Sequence, residues 1–482
     1  LSFALDHYRA GGTASARPFK VTNLAIHLLN VLLVWLLARG IGRRLWPAPQ
    51  AALFALAGAA LFALHPIMLS SVLYVVQRMS SLAATFSLAA LICWLRARSV
   101  AEGTAAHSTA NPTIARRAAC GWFLAGGVFC LLGLFTKENA ALTPALALLL
   151  DAALYPAAWP WRLWGRLSPA ARRSLAALAL LLAALAVMAA ARHLAGGYGG
   201  REFTLPQRLL TEARVLWFYV GLLLLPRIRA FGLHHDDIAL STGWLAPWTT
   251  LPAVLGVALA AGVGLWALRR RPLLAIGLLW FLIGHSLESS LIPLEIAHEH
   301  RNYLPALGPL LLLAGGFCRL WTRLPRRQTR ALAGLTLAVL AGTTALRASQ
   351  WQDDLTFSQY EVAHHPNSAR AHNDLASDLA HAGDLDGARQ QAEAALRLAP
   401  DEVGYHMNLA NLVLAQGGTL DAAAQARIES LLRERPLSAF GTLTLKRYAE
   451  CITGRCRHLA PYLARWLDVY LASEQPKFDL SY

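Results

Sequence analysis

The chain has 482 residues, 56% of which are hydrophobic, and a mean hydropathy of +0.41. A composition this apolar excludes an ordinary soluble enzyme of this size and indicates a polytopic membrane protein. The formal net charge of +16 raises the alternative of nucleic-acid binding. The arginines, however, cluster in short loops between apolar runs, where orientation in a membrane explains them better. Nucleic acid is therefore not a predicted partner, whereas the lipid bilayer is.

Apolar runs recur between residues 21 and 346 and predict ten membrane-spanning helices. The segment 205–226 is not counted, because its continuous apolar part is only about a dozen residues long and too short to cross a bilayer. It is predicted to be an amphipathic or re-entrant helix. The ten predicted spans are 21–38, 51–64, 79–95, 119–135, 140–154, 175–191, 248–268, 273–283, 305–317 and 332–346.

The loops between these runs predict the orientation of the chain. The arginine-rich loops favour the cytoplasmic side, and all of them fall on one face if 205–226 does not cross. We therefore expect a multi-pass protein of a cytoplasmic (inner) membrane with its tail on the periplasmic side. The same parity places Leu1 outside the cytoplasm, so at least one further span is expected upstream of this sequence.

The tail is repetitive and helical in pattern. Pro366 and Pro400 are 34 residues apart, which is the period of the tetratricopeptide repeat (TPR). A second unit ends at Pro436, and a degenerate third unit covers 436–475. Arrays of this kind hold peptides or partner proteins in a concave face, so a protein acceptor is a candidate partner of the tail.

The predicted fold is all-α, with a polytopic helical bundle over 1–348 and an extracytoplasmic TPR-type helical-hairpin domain over 349–482. Cys451 and Cys456 lie in that tail, five residues apart. They can close a small disulfide if the compartment is oxidising, and two cysteines alone do not indicate zinc.

The most charged stretch at a predicted membrane edge is 291–304, LIPLEIAHEHRNYL, which lies between two apolar runs. Ionisable groups at the edge of a hydrocarbon slab are costly unless something polar or anionic is bound there. One interpretation is a solvated loop with ion pairs. The other, which we favour, is a phosphate-holding site at the membrane surface. Its polar residues are Glu295, His298, Glu299, His300, Arg301, Asn302 and Tyr303.

Three further segments on the same predicted face carry charge, and their convergence supports a site for a phosphate whose lipid tail lies in the bilayer. The first contains His65 and the pair Gln77-Arg78, and the second is Lys137-Glu138. Arg78 and Lys137 have a simpler alternative, in which they only reach up to the membrane surface. The third is the helix 205–226, where Arg208, Glu212 and Arg214 are predicted to share one side.

That third segment is followed by the sequence HHDD at residues 234–237. Histidine and aspartate are metal ligands, so this run resembles a metal site. Adjacent ligands on one loop more often face water, however, and no metal is predicted.

Several runs resemble the bacterial TPR-containing membrane glycosyltransferases of the C-type (GT-C) superfamily, which are related to the animal transmembrane-and-TPR O-mannosyltransferases. The resemblance covers nearly the whole chain and is specific for the family more than for the substrate. The runs that carry it are RPFKVTNLAIHLLNVLL, HPIMLSSVLYVVQRMSSLAA, TKENAAL, ARVLWFY and HEHRNYLP, followed by the tail repeats.

The resemblance implies transfer of a sugar from a polyprenyl-phosphate carrier to an acceptor, expected to be a protein, on the outer face of the membrane. No cofactor is implied. The catalytic aspartate of such enzymes lies in the first outer loop, which is expected upstream of Leu1, and Asp6 does not occupy its position. Arg301 and Arg214, followed by Arg78 and Lys137, are the candidates for binding the donor phosphate. Candidates for orienting these cations or contacting the sugar are Glu138, Glu299, His298, His300, Tyr303 and Gln77.

Two other functions remain open. A polymerase or ligase for lipid-linked glycans would share the lipid-phosphate chemistry but use an oligosaccharide donor. A non-catalytic, membrane-anchored TPR scaffold for envelope assembly would need no buried charges at the ends of its spans. A transporter is disfavoured, because the middle of the spans carries few ionisable residues.

Overall fold

The computed structural model describes residues 2–12, 15–106, 112–156, 166–178, 188–189, 195–454 and 456–474. Every extended element of regular structure in this part of the chain is a helix, which confirms the all-α prediction. Leu1, most of the predicted span 175–191 and part of the arginine-rich loop 162–173 lie outside the described residues.

The helices of the membrane portion alternate with short turns, and several turns contain a single turn of 3-10 helix. We number the helices in chain order as α1 (Ser2–Arg9), α2 (Ala16–Leu45), α3 (Ala48–Leu64), α4 (Leu69–Leu73), α5 (Arg78–Ala106), α6 (Pro112–Leu134), α7 (Thr143–Leu154), α8 (Leu205–Leu224), α9 (Thr250–Ala267), α10 (Pro272–His285), α11 (Leu307–Arg323) and α12 (Arg326–Ser349).

Several of these helices indicate a multi-pass membrane protein, although fewer reach full length than the ten predicted. Within the described residues, five are long and apolar enough to cross a membrane: α2, α5, α6, α9 and α12. A sixth span results if α3 and the segment 66–73, which is bent by 55° against it, act together. Helices α7, α10 and α11 contain only 12, 14 and 17 residues.

The shortening has a local cause that hydropathy does not reveal. The apolar run 140–154 begins inside the 3-10 helix Glu138–Leu142, so the regular helix starts only at Thr143, with a proline in its first turn. A 3-10 turn rises more steeply than an α-turn, so it connects neighbouring helices within few residues. Because apolar residues also fill this turn, the apolar run is longer than the regular helix inside it.

The arginine-rich loops meet at one end of the bundle. Arg270, Arg271 and Arg319 line a common cavity with Leu45 and Trp46, so three loops distant in sequence share this end. At the opposite end, which we call the outer end, lie the residues after α3, the start of α5 and the stretch 286–304. The candidate site occupies this outer end.

The tail consists of further helices: α13 (Asp354–His364), α14 (Ala369–Ala382), α15 (Leu385–Leu398), α16 (Val403–Ala415), α17 (Ala422–Glu434), α18 (Ala439–Cys451) and α19 (Ala460–Ala472). Helices α14 and α15 form a hairpin at Gly383, whose φ of 89° is the left-handed conformation that glycine adopts readily at a helix end. Small buried residues such as Ala376, Ala388 and Ala392 let helices pack closely there. Cys451 and Cys456 form a disulfide. Assignment of these hairpins to TPR repeats remains a prediction.

Candidate functional site

A network of buried polar side chains lies at the outer end of the bundle. Lys137 Nζ is 2.5 Å from Glu288 Oε1 and 3.1 Å from Ser80 Oγ, and Ser80 donates in turn to Gln77 Oε1. Both members of the Lys137–Glu288 pair are less than one-tenth exposed. Lys137 is therefore an ion-pair partner inside the protein and does not simply reach to the membrane surface.

Helix α8 adds a second buried pair to the network. Arg208 Nη2 lies 2.8 Å from Glu212 Oε1, one helical turn away. The guanidinium also donates to the backbone carbonyl of Glu288 at 2.7 Å and to that of Ser290 at 2.9 Å. Arg208 thus fixes the segment that follows α10 against α8.

Arg301 differs from the other buried cations. It lies in the 3-10 helix Glu299–Asn302 and is 3% exposed. Its Nη1 donates to the carbonyl of Ile296 at 3.1 Å, but no carboxylate forms an ion pair with it within the described residues. A buried guanidinium without a counter-ion is costly, so this side chain is suited to an anionic ligand.

The charges of the residues around Arg301 support the same conclusion. We call Gln77, Ser80, Lys137, Arg208, Glu212, Glu288 and Arg301 the outer polar network. Arg301 interacts electrostatically with both Arg208 and Glu212, so it belongs to the same charge cluster. Three cations and two carboxylates leave this network with an excess of one positive charge when all five groups are ionised.

The remaining predicted phosphate-binding residues are engaged elsewhere. Arg78 is 1% exposed and pairs with Asp6 at 2.5 Å, while its Nε donates to Asn23 Oδ1 at 2.6 Å. The guanidinium of Arg78 also packs against the aromatic ring of Phe3, with its central carbon 4.4 Å from the ring centroid. Arg78 therefore forms a buried ion pair that links α5 to α1.

Arg214 does not share a helical side with Arg208 and Glu212, so that prediction was wrong. It donates to Ala239 O at 2.6 Å and lies 3.4 Å from Ser241 Oγ, on the loop before α9. Each residue of an α-helix is rotated by about 100° from the one before it, so side chains two residues apart, such as those of Glu212 and Arg214, differ in direction by roughly 200°. Arg214 consequently points away from the network that Glu212 joins.

Two predicted sugar-contacting residues serve the packing of the bundle. Tyr303 is 1% exposed, and its hydroxyl lies 2.8 Å from His27 Nδ1 and 3.1 Å from Asn30 Nδ2. Glu299 is equally inaccessible: it pairs with Arg347 of α12 at 3.1 Å and accepts the backbone N–H of Gly232 at 2.6 Å. Neither side chain is free to contact a substrate in this conformation.

The two histidines of the stretch stack on each other, with ring centroids 5.0 Å apart. Burial lowers the pKa of both His298 and His300 well below the usual value, and the charge of Arg301 acts in the same direction. Both rings are therefore neutral at pH 7, so each can donate one hydrogen bond and accept another. Glu138, by contrast, is exposed at the start of its 3-10 helix.

The HHDD loop docks on the tail, so the prediction that its residues face water holds only for Asp236 and Asp237, which are exposed. His234 Nε2 lies 2.8 Å from Asp374 Oδ2, and Asp236 Oδ2 accepts the backbone N–H of Arg370 at 3.1 Å. Asp236 also accepts the Ser368 hydroxyl at the start of α14. This loop therefore connects the membrane portion to the first tail hairpin.

A cavity of about 510 Å³ lies between this loop, the middle of the stretch 291–304 and the tail helices. Its wall carries charges of both signs as well as aromatic rings. The residues that line it include Arg201, His234, Asp236, Asp237, Glu295, His298, Arg370, Glu402, Tyr405 and Phe440. Ile296 and His298 line the cavity, and Ile296 accepts the hydrogen bond of Arg301, so the cavity adjoins the outer polar network.

Glu295 joins the cavity wall to the tail. Its Oε1 lies 3.2 Å from Arg201 Nη1 and 3.4 Å from Arg370 Nη1. Burial alone would raise the pKa of this carboxyl, but Arg370 and Arg201 lower it from 4.5 to about 2. The carboxylate therefore stabilises the fold above its ordinary pKa, and that contribution is lost as the pH falls from about 4.5 towards 2.

We expect a Glu295→Gln variant to be less stable than the wild type at neutral pH, with the difference shrinking as the pH falls from about 4.5 to about 2. Thermal unfolding in detergent at a series of pH values measures this difference. Glu393→Gln is the control, because that carboxylate pairs with Arg389 on the tail surface. A stability difference that is independent of pH would contradict the role given to Glu295.

Sequence reasoning did not find the residues of α12 and of the tail that complete the site. Arg347, Glu361 and Arg370 all contact the outer loops, and Glu361 Oε2 accepts the backbone N–H of Leu233 at 2.7 Å. Charged residues in the tail are visible in the sequence, but their burial is not. A repeat pattern does not show which face of the repeats docks on another part of the chain.

Comparison with known proteins finds similarity to a glycosyltransferase. No family model and no solved structure matches the chain. The chain is similar to the protein O-mannosyl-transferase Tmtc3 of Drosophila melanogaster, with 25% identity over 216 residues. The match covers 42% of this chain and 23% of that relative, so the chain corresponds to less than a quarter of the relative's length. This similarity supports a function of the glycosyltransferase type.

Proposed function

We propose that the protein transfers a sugar from a polyprenyl-phosphate-linked donor to an acceptor, with a protein as the expected acceptor, at the outer end of the helical bundle. The similarity to a protein O-mannosyl-transferase supports glycosyl transfer. The apolar helices support a donor carried by a lipid. In this proposal the bundle is of the GT-C type and the tail hairpins are TPR repeats.

The observation that carries the proposal is Arg301. It is 3% exposed, has no carboxylate partner among the described residues and belongs to a network with an excess positive charge. A phosphate monoanion or diester at this position would neutralise that charge. Because the guanidinium is planar and offers parallel N–H donors, it can hold two phosphate oxygens at once.

The chemistry assigned to the network is stabilisation of the leaving group. When the acceptor hydroxyl attacks the anomeric carbon, the bond to the lipid phosphate breaks and negative charge grows on the phosphate oxygens. Arg301, supported by Lys137 and Arg208, would stabilise this growing charge in the transition state more strongly than it stabilises the intact donor. The neutral His298 and His300 can each donate a hydrogen bond to sugar or phosphate oxygens.

The acceptor would also need a carboxylate that takes the hydroxyl proton. Asp6 does not fit this role, because it is 1% exposed and held by Arg78. Glu212 and Glu288 likewise face cations of the network. The proposal therefore assigns the activating base to none of these three carboxylates.

The cavity between the loops and the tail is the proposed place for the acceptor. Its volume of about 510 Å³ suits a short peptide segment or a few sugar units. In this arrangement the outer end and the tail lie on the periplasmic side of a cytoplasmic membrane. The disulfide Cys451–Cys456 supports that side, because disulfides persist in oxidising compartments.

A transfer assay tests the proposal. The protein, expressed from its complete coding sequence, is reconstituted in vesicles with polyprenyl-linked monosaccharides or, in parallel, oligosaccharides, each labelled in the sugar. We expect label to move to a protein acceptor while free polyprenyl phosphate forms. Transfer only from oligosaccharide donors would identify a polymerase or ligase instead. Absence of transfer from every donor, by a protein that still supports envelope assembly, would favour the scaffold.

A further inference from the structure

The HHDD loop and the end of the first tail helix bring two imidazoles and one carboxylate together. His235, Asp237 and His365 each offer a ligand atom, and these atoms lie within 4.8 Å of one another. The two histidine rings stand edge to face, with centroids 5.4 Å apart. The loop residues and His365 come from parts of the chain about 130 positions apart, so only the folded protein assembles this group.

His365 is oriented like a metal-binding histidine. Its Nε2 lies 3.3 Å from the carbonyl of Phe231, and its Nδ1 lies 2.9 Å from Asp237 Oδ2. When Nε2–H donates to the carbonyl, the neutral ring directs its Nδ1 lone pair towards a carboxylate oxygen. Two lone pairs in such proximity repel each other unless a cation or a second proton is present. A ring N–H bound to a backbone carbonyl is also the usual support of a histidine ligand.

His235 provides an independent observation. The residue is 4% exposed, and its Nε2 has no hydrogen-bond partner in the part of the chain that the structure describes. The nearest carboxylate oxygen, Glu299 Oε1, is 3.5 Å away and is already engaged by the backbone N–H of Gly232. A buried polar nitrogen that lacks a partner is unusual in a folded protein and points to a missing ligand.

We propose that His235, Asp237 and His365 bind one divalent transition-metal ion. Two imidazoles and one carboxylate with room for a further ligand are a donor set that suits Zn²⁺. His235 and Asp237 both line the cavity, so the site adjoins the space in which the acceptor is proposed to bind. The ion would fasten the outer loop to the tail. This site goes beyond the proposed sugar transfer, which assigns no role to a metal.

Zinc titration of the full chain tests the site. The protein is purified in detergent through a tag that contains no histidine, stripped with a chelator and titrated with ZnCl₂ against a chromophoric chelator. We expect one tightly bound zinc ion per chain. His235→Ala and His365→Ala should each weaken zinc binding by at least about tenfold. His381→Ala is the control, because that histidine is exposed on α14 and should leave the affinity unchanged.

A further variant keeps the test decisive if the histidine variants unfold. Asp237 has a side chain that is 23% exposed, and an Asp237→Asn change keeps its shape while removing its charge. We expect this variant to fold, to bind zinc at least about tenfold more weakly and to lose zinc-dependent thermal stabilisation. A wild type that binds no zinc, or an Asp237→Asn variant that binds it like the wild type, would overturn the proposal. Because zinc affinity is measured without a sugar donor, its failure would leave the transfer proposal untouched.

Discussion

An Arg301→Ala variant is expected to lose sugar transfer by about 10²- to 10³-fold, the usual effect of removing one group that stabilises transition-state charge. Arg301 provides the buried positive charge that no carboxylate in the described part of the chain neutralises by an ion pair. Removing it leaves only Lys137 and Arg208, each of which faces a carboxylate partner, Glu288 and Glu212, so the attraction for the departing phosphate is much weaker. The rate of release of free polyprenyl phosphate from the labelled donor measures the effect.

Two further variants make this result specific. Arg301→Lys keeps the charge but loses the planar pair of donors, so we expect an intermediate rate. Arg214→Ala is the matched control, because Arg214 lies on the opposite side of α8 and contacts Ala239 and Ser241. An Arg301→Ala protein with normal transfer, or an Arg214→Ala protein that is equally impaired, would show that the phosphate binds elsewhere.

An Asp6→Ala variant is expected to be destabilised by about 3–5 kcal/mol, the cost of breaking a buried ion pair by removing one partner. Asp6 and Arg78 are each 1% exposed and lie 2.5 Å apart. Without the carboxylate, Arg78 keeps only neutral acceptors, namely Asn23 Oδ1 and the carbonyl of Phe19. The free energy of unfolding in detergent, determined with a denaturant, measures the loss.

A double variant separates an ion-pair effect from a general loss of packing. Asp6→Ala combined with Arg78→Met removes the stranded charge, so most of the lost stability should return. Arg9→Ala is the control, because Arg9 is 61% exposed and 3.8 Å from Asp6, and its loss should change stability by less than about 0.5 kcal/mol. A double variant as unstable as Asp6→Ala alone would show that Asp6 acts through something other than Arg78.

The buried cations differ in how well they can separate an enzyme from a scaffold. Neutralising Arg78, Lys137 and Arg301 together would separate an enzyme from a scaffold only if all three cations were dispensable for folding. Arg78 and Lys137 hold buried carboxylates, so their loss would damage either kind of protein. Arg301 is therefore the informative position.

The sequence predicted where charge accumulates but not how it is paired. Arg301 and Lys137 were identified because ionisable residues stand out between apolar runs. The partner of Lys137 is Glu288, 151 positions away, and no local pattern shows such a contact. The outer end of the bundle was predictable, whereas the distinction between a paired and an unpaired cation required the folded chain.

Helix phase and turns explain the other differences. Arg214 was assigned to the side of Glu212 because the two are close in sequence. Side chains that are two residues apart in a helix, however, point in nearly opposite directions. Tyr303 was placed in the site because it follows Arg301 and Asn302, yet its hydroxyl is bound between His27 and Asn30 in the bundle. Hydropathy could not separate full-length spans from shorter helices, since apolar residues also fill the turns.

Binding of a polyprenyl phosphate is the most direct measurement of the proposed site. The purified chain is titrated with a fluorescent polyprenyl phosphate, and then with the matching polyprenol that lacks the phosphate. We expect the phosphate to bind at least about tenfold more tightly than the alcohol, since a charge-assisted bidentate contact contributes more than 1.4 kcal/mol. Arg301→Ala should remove that preference and Arg214→Ala should keep it. Equal binding of the two lipids, or a phosphate preference that survives in Arg301→Ala, would contradict a lipid-phosphate site at Arg301.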